Sequence, residues 1–190
     1  MLNRKGSREV QMIVNKILFV AAVLCLTIVL ALPVAAQQTD DQKKALKGLK
    51  NVFVLVEGLS PDAEQDGLTA AILKTDVELR LRKAGIRVLS LDGWAKTPGV
   101  PILYVNVALQ KNKAGFYACA LNLFLIEKVL LERDLMQRDT TVNDLHFAVT
   151  WRDGAVATKA ESRLRTVRED LSDLVDSFIN DYLATNPPNS

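Results

Sequence analysis

Few side chains in this chain invite chemistry. His146 is the sole histidine, with Asp144 two residues before it and Asp139 five before that. An imidazole beside carboxylates has the makings of a general base, so Asp139, Asp144 and His146 are the residues a hydrolase or small-molecule binder would use here. Serine or cysteine catalysis also needs a convergent nucleophile, and there is no Gly-x-Ser-x-Gly elbow. A lone histidine further excludes a metal site built on paired imidazoles. The plainer reading of His146 is a structural or surface residue.

The other candidates fall the same way. Cys119 lies between Ala118 and Ala120, with Tyr117 and Leu121 as same-face neighbours on a strand. That is the setting of a buried small hydrophobe, because a nucleophilic thiolate needs an electropositive, partly exposed position. Asp62, Glu64 and Asp66 form the densest acidic group, with the oxygen donors Ca²⁺ prefers. The remaining ligands of an EF-hand are missing, and acids at a helix entry already complement its dipole. With no phosphate loop, dinucleotide fingerprint or Cys-x-x-Cys, no catalytic residue, metal or cofactor is assigned.

Contact chemistry is better represented. Trp94 stands in a Gly/Pro loop, where an indole either tucks over the core edge or anchors a partner. Tyr117 and Phe124 belong to a strand that is apolar on both faces. If helices cover only one face, the other is left for a protein partner or a second subunit.

The elements that position these residues begin after a leader. Arg4, Lys5, Arg8 and Lys16 precede an uncharged run from Ile17 to Ala36, and Val34 and Ala36 occupy the small-residue positions of a signal peptidase site before Gln37. Residues 1–36 are therefore read as a signal peptide cleaved between Ala36 and Gln37, with Met12 heading a more conventional start. An uncleaved residues 17–36 anchor is the alternative, since twenty apolar residues suffice to span a bilayer. A lipoprotein built on Cys25 fits poorly, as bulky Leu24 precedes it. Export makes the location periplasmic or extracellular, with membrane contact only if the segment is retained.

Whole-chain figures conceal this division. The 190 residues carry 24 Lys+Arg against 22 Asp+Glu and 49% apolar residues. Removing 1–36 leaves 20 basic and 21 acidic side chains, so there is no positive excess to hold a nucleic-acid backbone. The remaining residues suffice for one packed core without disulfides, Cys119 being the single cysteine left.

Residues 37–50 read as a lysine-bearing linker. Val52–Val56 is a continuous apolar run, expected to be a central strand covered on both faces. Leu68, Ala71, Ile72, Thr75 and Leu79 recur at helical spacing within 67–84, closed by Gly85. Ile86–Leu91 resumes as a strand, making a parallel βαβ unit. Ile102–Gln110 and Phe116–Glu132 form a hairpin around Lys-Asn-Lys-Ala-Gly. A polar loop or short helix spans 133–144, and His146–Trp151 is a fifth strand closed by Arg152-Asp153-Gly154. Leu164, Val167, Leu171, Leu174, Val175, Phe178, Ile179 and Tyr182 share one stripe of a helix over 161–184 that must pack on the sheet, with Trp151 beneath it. Residues 185–190 are a frayed tail.

The result is one α+β domain over 51–184, in the order β-α-β-β-β-β-α, with about five strands in a mixed sheet and both helices on one face. This element order, on an exported domain closed by an amphipathic helix, resembles the TolB N-terminal domain and related periplasmic assembly domains. The resemblance covers most of 51–184 through element order alone and implies a non-catalytic scaffold that docks to other proteins, an envelope assembly or accessory factor. It supplies no site residues.

Overall fold

The computed structural model describes residues 40–135 and 145–187. Its elements are α1 (Asp40–Ala45), β1 (Asn51–Val56), α2 (Pro61–Gln65), α3 (Ala70–Lys83), β2 (Arg87–Val88), α4 (Leu91–Ala95), β3 (Ile102–Lys111), β4 (Phe116–Leu130), α5 (Glu132–Leu135), β5 (Leu145–Ala160), a 3₁₀ segment (Glu161–Thr166) and α6 (Val167–Thr185). The five strands form a mixed sheet in the order β2-β1-β3-β4-β5. β1 runs parallel to both β2 and β3, while β3, β4 and β5 are antiparallel. The fold is α+β. No helix among the described residues is long and apolar enough to cross a membrane.

The two long helices lie together on one face. From α3 come Leu73, Val77 and Leu81, and from α6 Leu171, Leu174, Val175 and Phe178; all join one core with the inward side chains of β1, β3 and β4. Burying each such side chain contributes roughly 1.5–3 kcal/mol, so this single interface dominates the stability. Trp151 enters the same core, its ring edge-on to Phe178 at 5.1 Å. Thr69 caps α3 by accepting the Ile72 amide at 3.3 Å, and Gly85 after it has a φ of 81°, as a terminating glycine should.

Several boundaries differ from the sequence reading, each for a local reason. The segment read as a linker contains α1 and packs: Leu46 is fully buried, and Lys43 pairs with Asp181 at 3.2 Å. Two leucines three apart in a lysine-rich stretch are too few to show a period, yet Leu46 and the partly buried Leu49 dock the segment on the core. The tail is likewise tied down at Asn186, whose amide donates to Leu46 O at 2.8 Å while its oxygen accepts from Gly48 N at 2.7 Å. The second strand shrinks to Arg87–Val88 because Ser90 caps α4, accepting the Gly93 amide. β1 is internal but not covered on both sides, since Val52 and Val54 are buried whereas Leu55 is 41% exposed.

The largest difference is in β5. It does not turn at Arg152-Asp153-Gly154 but runs on to Ala160, paired with β4 throughout. A bulge facing Leu125/Ile126 accommodates Thr150 as one extra residue. Gly154 serves a close approach, since a Cβ there would lie 2.9 Å from Leu121 O. The long terminal helix splits into the 3₁₀ segment and α6.

Candidate functional site

The antiparallel ladders fix which residues share the face that α3 and α6 leave bare. β3 presents Tyr104, Asn106, Ala108 and Gln110; opposite them β4 presents Phe124, Asn122, Ala120 and Ala118, and β5 presents Arg152, Gly154, Val156 and Thr158. β1 adds Phe53 and Leu55, aligned with Ile102 and Tyr104. The face is thus banded across the strands. One band is apolar and aromatic, with Tyr104 and Phe124 stacked at 6.3 Å and Leu55 beside them. A second consists of small side chains, from which Val156 stands out at 88% exposure. Phe147 and Val149 are also exposed.

Between the two runs a polar line. Glu57 follows β1, and its amide donates to Val105 O at 3.0 Å, which continues the β1–β3 alignment. Its carboxylate accepts from the Tyr104 hydroxyl at 2.6 Å and from the Asn106 amide. Asn106 in turn accepts from Asn122 Nδ2 at 3.2 Å. The Tyr104 and Asn106 donors hold the Glu57 carboxyl below its ordinary range, and the carboxylate pushes the Tyr104 phenol upward. Glu57 is therefore a fixed, solvent-facing anion, moved away from the neutral pKa that general-base work needs. This line orients acceptors and donors across β1, β3 and β4.

A second polar group lies at the hairpin end. Asp66 Oδ2 accepts from Tyr117 OH at 2.6 Å and Lys111 Nζ at 2.8 Å, and Lys111 also reaches Glu161 at 2.9 Å. Burial first, then Asp66, pushes the Tyr117 phenol up to about 12. Asp66, chiefly through Lys111, is held below its ordinary range, and Lys111 above its own. The adjoining open cleft of about 510 Å³ is lined by Asp66, Phe116, Glu161 and Arg165 among others. With each group paired to another, the cluster works as a clasp between the hairpin, the α2 exit and the 3₁₀ segment. A second cleft of about 520 Å³ separates α3 from α6, bridged by Arg80–Asp176 and Arg168–Asp76.

The residues singled out from sequence separate in space. Phe124 lies on the bare face. Tyr117 does not: it is 0% exposed, with its ring in the core and its hydroxyl on Asp66, because odd-numbered β4 residues point toward the helices. Trp94 is tucked rather than presented, stacked on Phe53 at 5.4 Å with Nε1 donating to Val100 O at 2.9 Å. His146 is exposed near the start of β5, opposite Val129; Asp139 and Asp144 lie outside the described residues, as do Ala36 and Gln37. Cys119 is buried, and burial pushes its thiol up, away from a reactive thiolate. Asp66 is engaged by Lys111 and Tyr117. Among the described residues no group of three or more His, Cys, Asp or Glu is placed to hold a metal ion.

The polar line itself escaped the sequence reading. Its signal was present: Asn106 and Asn122 are the polar interruptions of two long apolar strands, equidistant from the hairpin turn at Ala114.

No protein-family model and no curated protein matches the chain. Among solved structures, it is similar to a minor lipoprotein from Acinetobacter baumannii, with 11% identity and a TM-score of 0.35 over 76% of this chain and 98% of that one. A likeness at that level transfers nothing from that protein to this one.

Proposed function

We propose that this chain is an exported, non-catalytic α+β domain that works by protein–protein contact, as an accessory or assembly factor of the cell envelope. The observation that carries the reading is the one-sided sheet. Among the described residues both long helices pack on one face, while the other exposes Leu55, Phe147, Val149 and Val156 around a fixed polar line. Exposed apolar surface rimmed by oriented polar groups is the composition of a protein interface. The leader pattern of residues 1–36 supports export, and the resemblance in element order to periplasmic assembly domains agrees with a docking role.

The test is position-specific photo-crosslinking in the expressing cell. A photoreactive amino acid at Leu55 or Phe124 should give discrete protein adducts, whereas one at Leu79, exposed on α3, should not. Adducts confined to Leu79, or none from the sheet face, would remove the reading.

A further inference from the structure

On the side of the sheet that the helices cover lies the cleft of about 520 Å³ between α3 and α6. Four of its lining side chains are cations, Arg80, Lys83, Arg165 and Arg168, against the two acids Asp76 and Glu169. Two ion pairs frame it, and each helix supplies one arginine and one aspartate. Arg168 of α6 donates to Asp76 from Nε and Nη2 at 2.6 and 2.9 Å, while Arg80 of α3 donates to both oxygens of Asp176 from Nη1, at 2.7 and 2.8 Å. These contacts spend two of the five N–H donors that each guanidinium carries. Nη1 of Arg168 and Nε and Nη2 of Arg80 take no part in them. The aspartates therefore fix the plane of each fork and leave donor edges over, an arrangement that meets phosphate oxygens bidentately without first losing rotamer freedom.

We propose that this cleft binds a ligand carrying two phosphate groups, one held at Arg80 with Lys83 and the other at Arg168 with Arg165. Spacing argues for two groups rather than one. Asp76 and Arg80 stand one turn apart on α3, about 6 Å along its axis, and Arg168 and Asp176 two turns apart on α6, about 12 Å, so the two forks occupy separate ends of the cleft. Lys83 follows Arg80 by three residues and Arg165 precedes Arg168 by three, which gives each fork a second cation one turn away in the chain. Glu169 is the acid that opposes an anion there. Leu79, 48% exposed, adds an apolar contact to the same wall. The shared chemistry is a diphosphate, supplied either free or as the headgroup of a lipid. The site lies on the helices and not on the sheet face, so it stands or falls apart from the docking reading.

Calorimetry and vesicle co-sedimentation on the full chain test this. Inorganic pyrophosphate should bind more tightly than orthophosphate. Lys83→Ala combined with Arg165→Ala, which spares both framing ion pairs, should weaken pyrophosphate at least about tenfold with unchanged circular dichroism, and Glu169→Gln should tighten it. Phosphatidylcholine vesicles that contain cardiolipin, a lipid of two phosphates, should hold more protein than phosphatidylcholine alone if the source is a lipid. The basic leader also favours anionic vesicles, so the cleft is read from the loss in the double variant, which keeps that leader. Pyrophosphate binding alone assigns a free diphosphate, cleft-dependent cardiolipin binding alone assigns the lipid, and both together allow either source. Neither signal in the wild-type chain, signals unmoved by the double variant, or orthophosphate binding as tightly as pyrophosphate overturns the proposal.

Discussion

The indole of Trp151 donates to Asp181 Oδ2 at 3.0 Å, and the other carboxylate oxygen of Asp181 pairs with Lys43. Three elements, α1, β5 and α6, therefore meet on one acid that is only 8% exposed. Replacing Asp181 with alanine leaves a buried indole N–H without its acceptor, an arrangement that costs about 1–3 kcal/mol. Asp181→Asn keeps an acceptor and should lose less. Urea unfolding followed by tryptophan fluorescence checks both, and an unchanged midpoint for Asp181→Ala would show that the contact contributes nothing.

Leu46 gives a second prediction. Leu46→Ala removes a fully buried side chain from the core and should cost about 2–5 kcal/mol. A solvated linker would feel no such change. Thermal unfolding of the variant against Lys47→Ala, an exposed neighbour, separates the two cases.

The clasp at Asp66 makes stability fall in alkali. The Tyr117 phenol titrates near 10 when unfolded and at about 12 when folded, so the unfolded chain releases its proton first. The contribution is complete below pH 10 and disappears as pH rises through about 12. Tyr117→Phe should lose about 1 kcal/mol at neutral pH and show a flatter decline across that window. At the acid end Asp66 behaves oppositely: its folded pKa lies below 3.8, so its contribution is lost as pH falls through that lower value. Chemical denaturation at stepped pH would detect both slopes.

Gly154 offers a sharper local test. A Cβ at this position meets Leu121 O at 2.9 Å and Asn122 Oδ1 at 3.1 Å, whereas one at Gly58 meets nothing within 4 Å. Gly154→Ala should destabilise by about 1–3 kcal/mol, with Gly58→Ala close to neutral. Equal midpoints for the two variants would contradict the close approach of β4 and β5.

Element order was legible because the strongest signals are local. The stripe from Leu164 to Tyr182 needs no partner to be recognised as a helix, and Val52–Val56 reads as an internal strand by itself. What escaped is set by tertiary packing. The two alternating sets of β4 are almost equally apolar, so only the pairing with β3 and β5 decides that Tyr117 turns inward while Phe124 turns outward. Arg152-Asp153-Gly154 has turn chemistry, yet fifteen facing pairs with β4 outweigh that local preference. Glu57 lay beyond reading because its role depends on Tyr104 and Asn106, nearly fifty positions away.

The bulge at Thr150 governs how β5 divides its side chains. Ahead of it, odd-numbered Phe147 and Val149 lie toward solvent; past it, Trp151 goes inward and even-numbered Val156 comes out. The extra residue acts as a phase shift, letting one uninterrupted strand serve the same two surfaces with opposite numbering on either side. Deleting Thr150 would make Val149 and Trp151 consecutive partners of Ile126 and Leu125, so a regular ladder would keep both on their present sides; what would go is the bulge itself and the hydrogen bond that the Thr150 hydroxyl donates to Glu127 Oε2 at 2.8 Å.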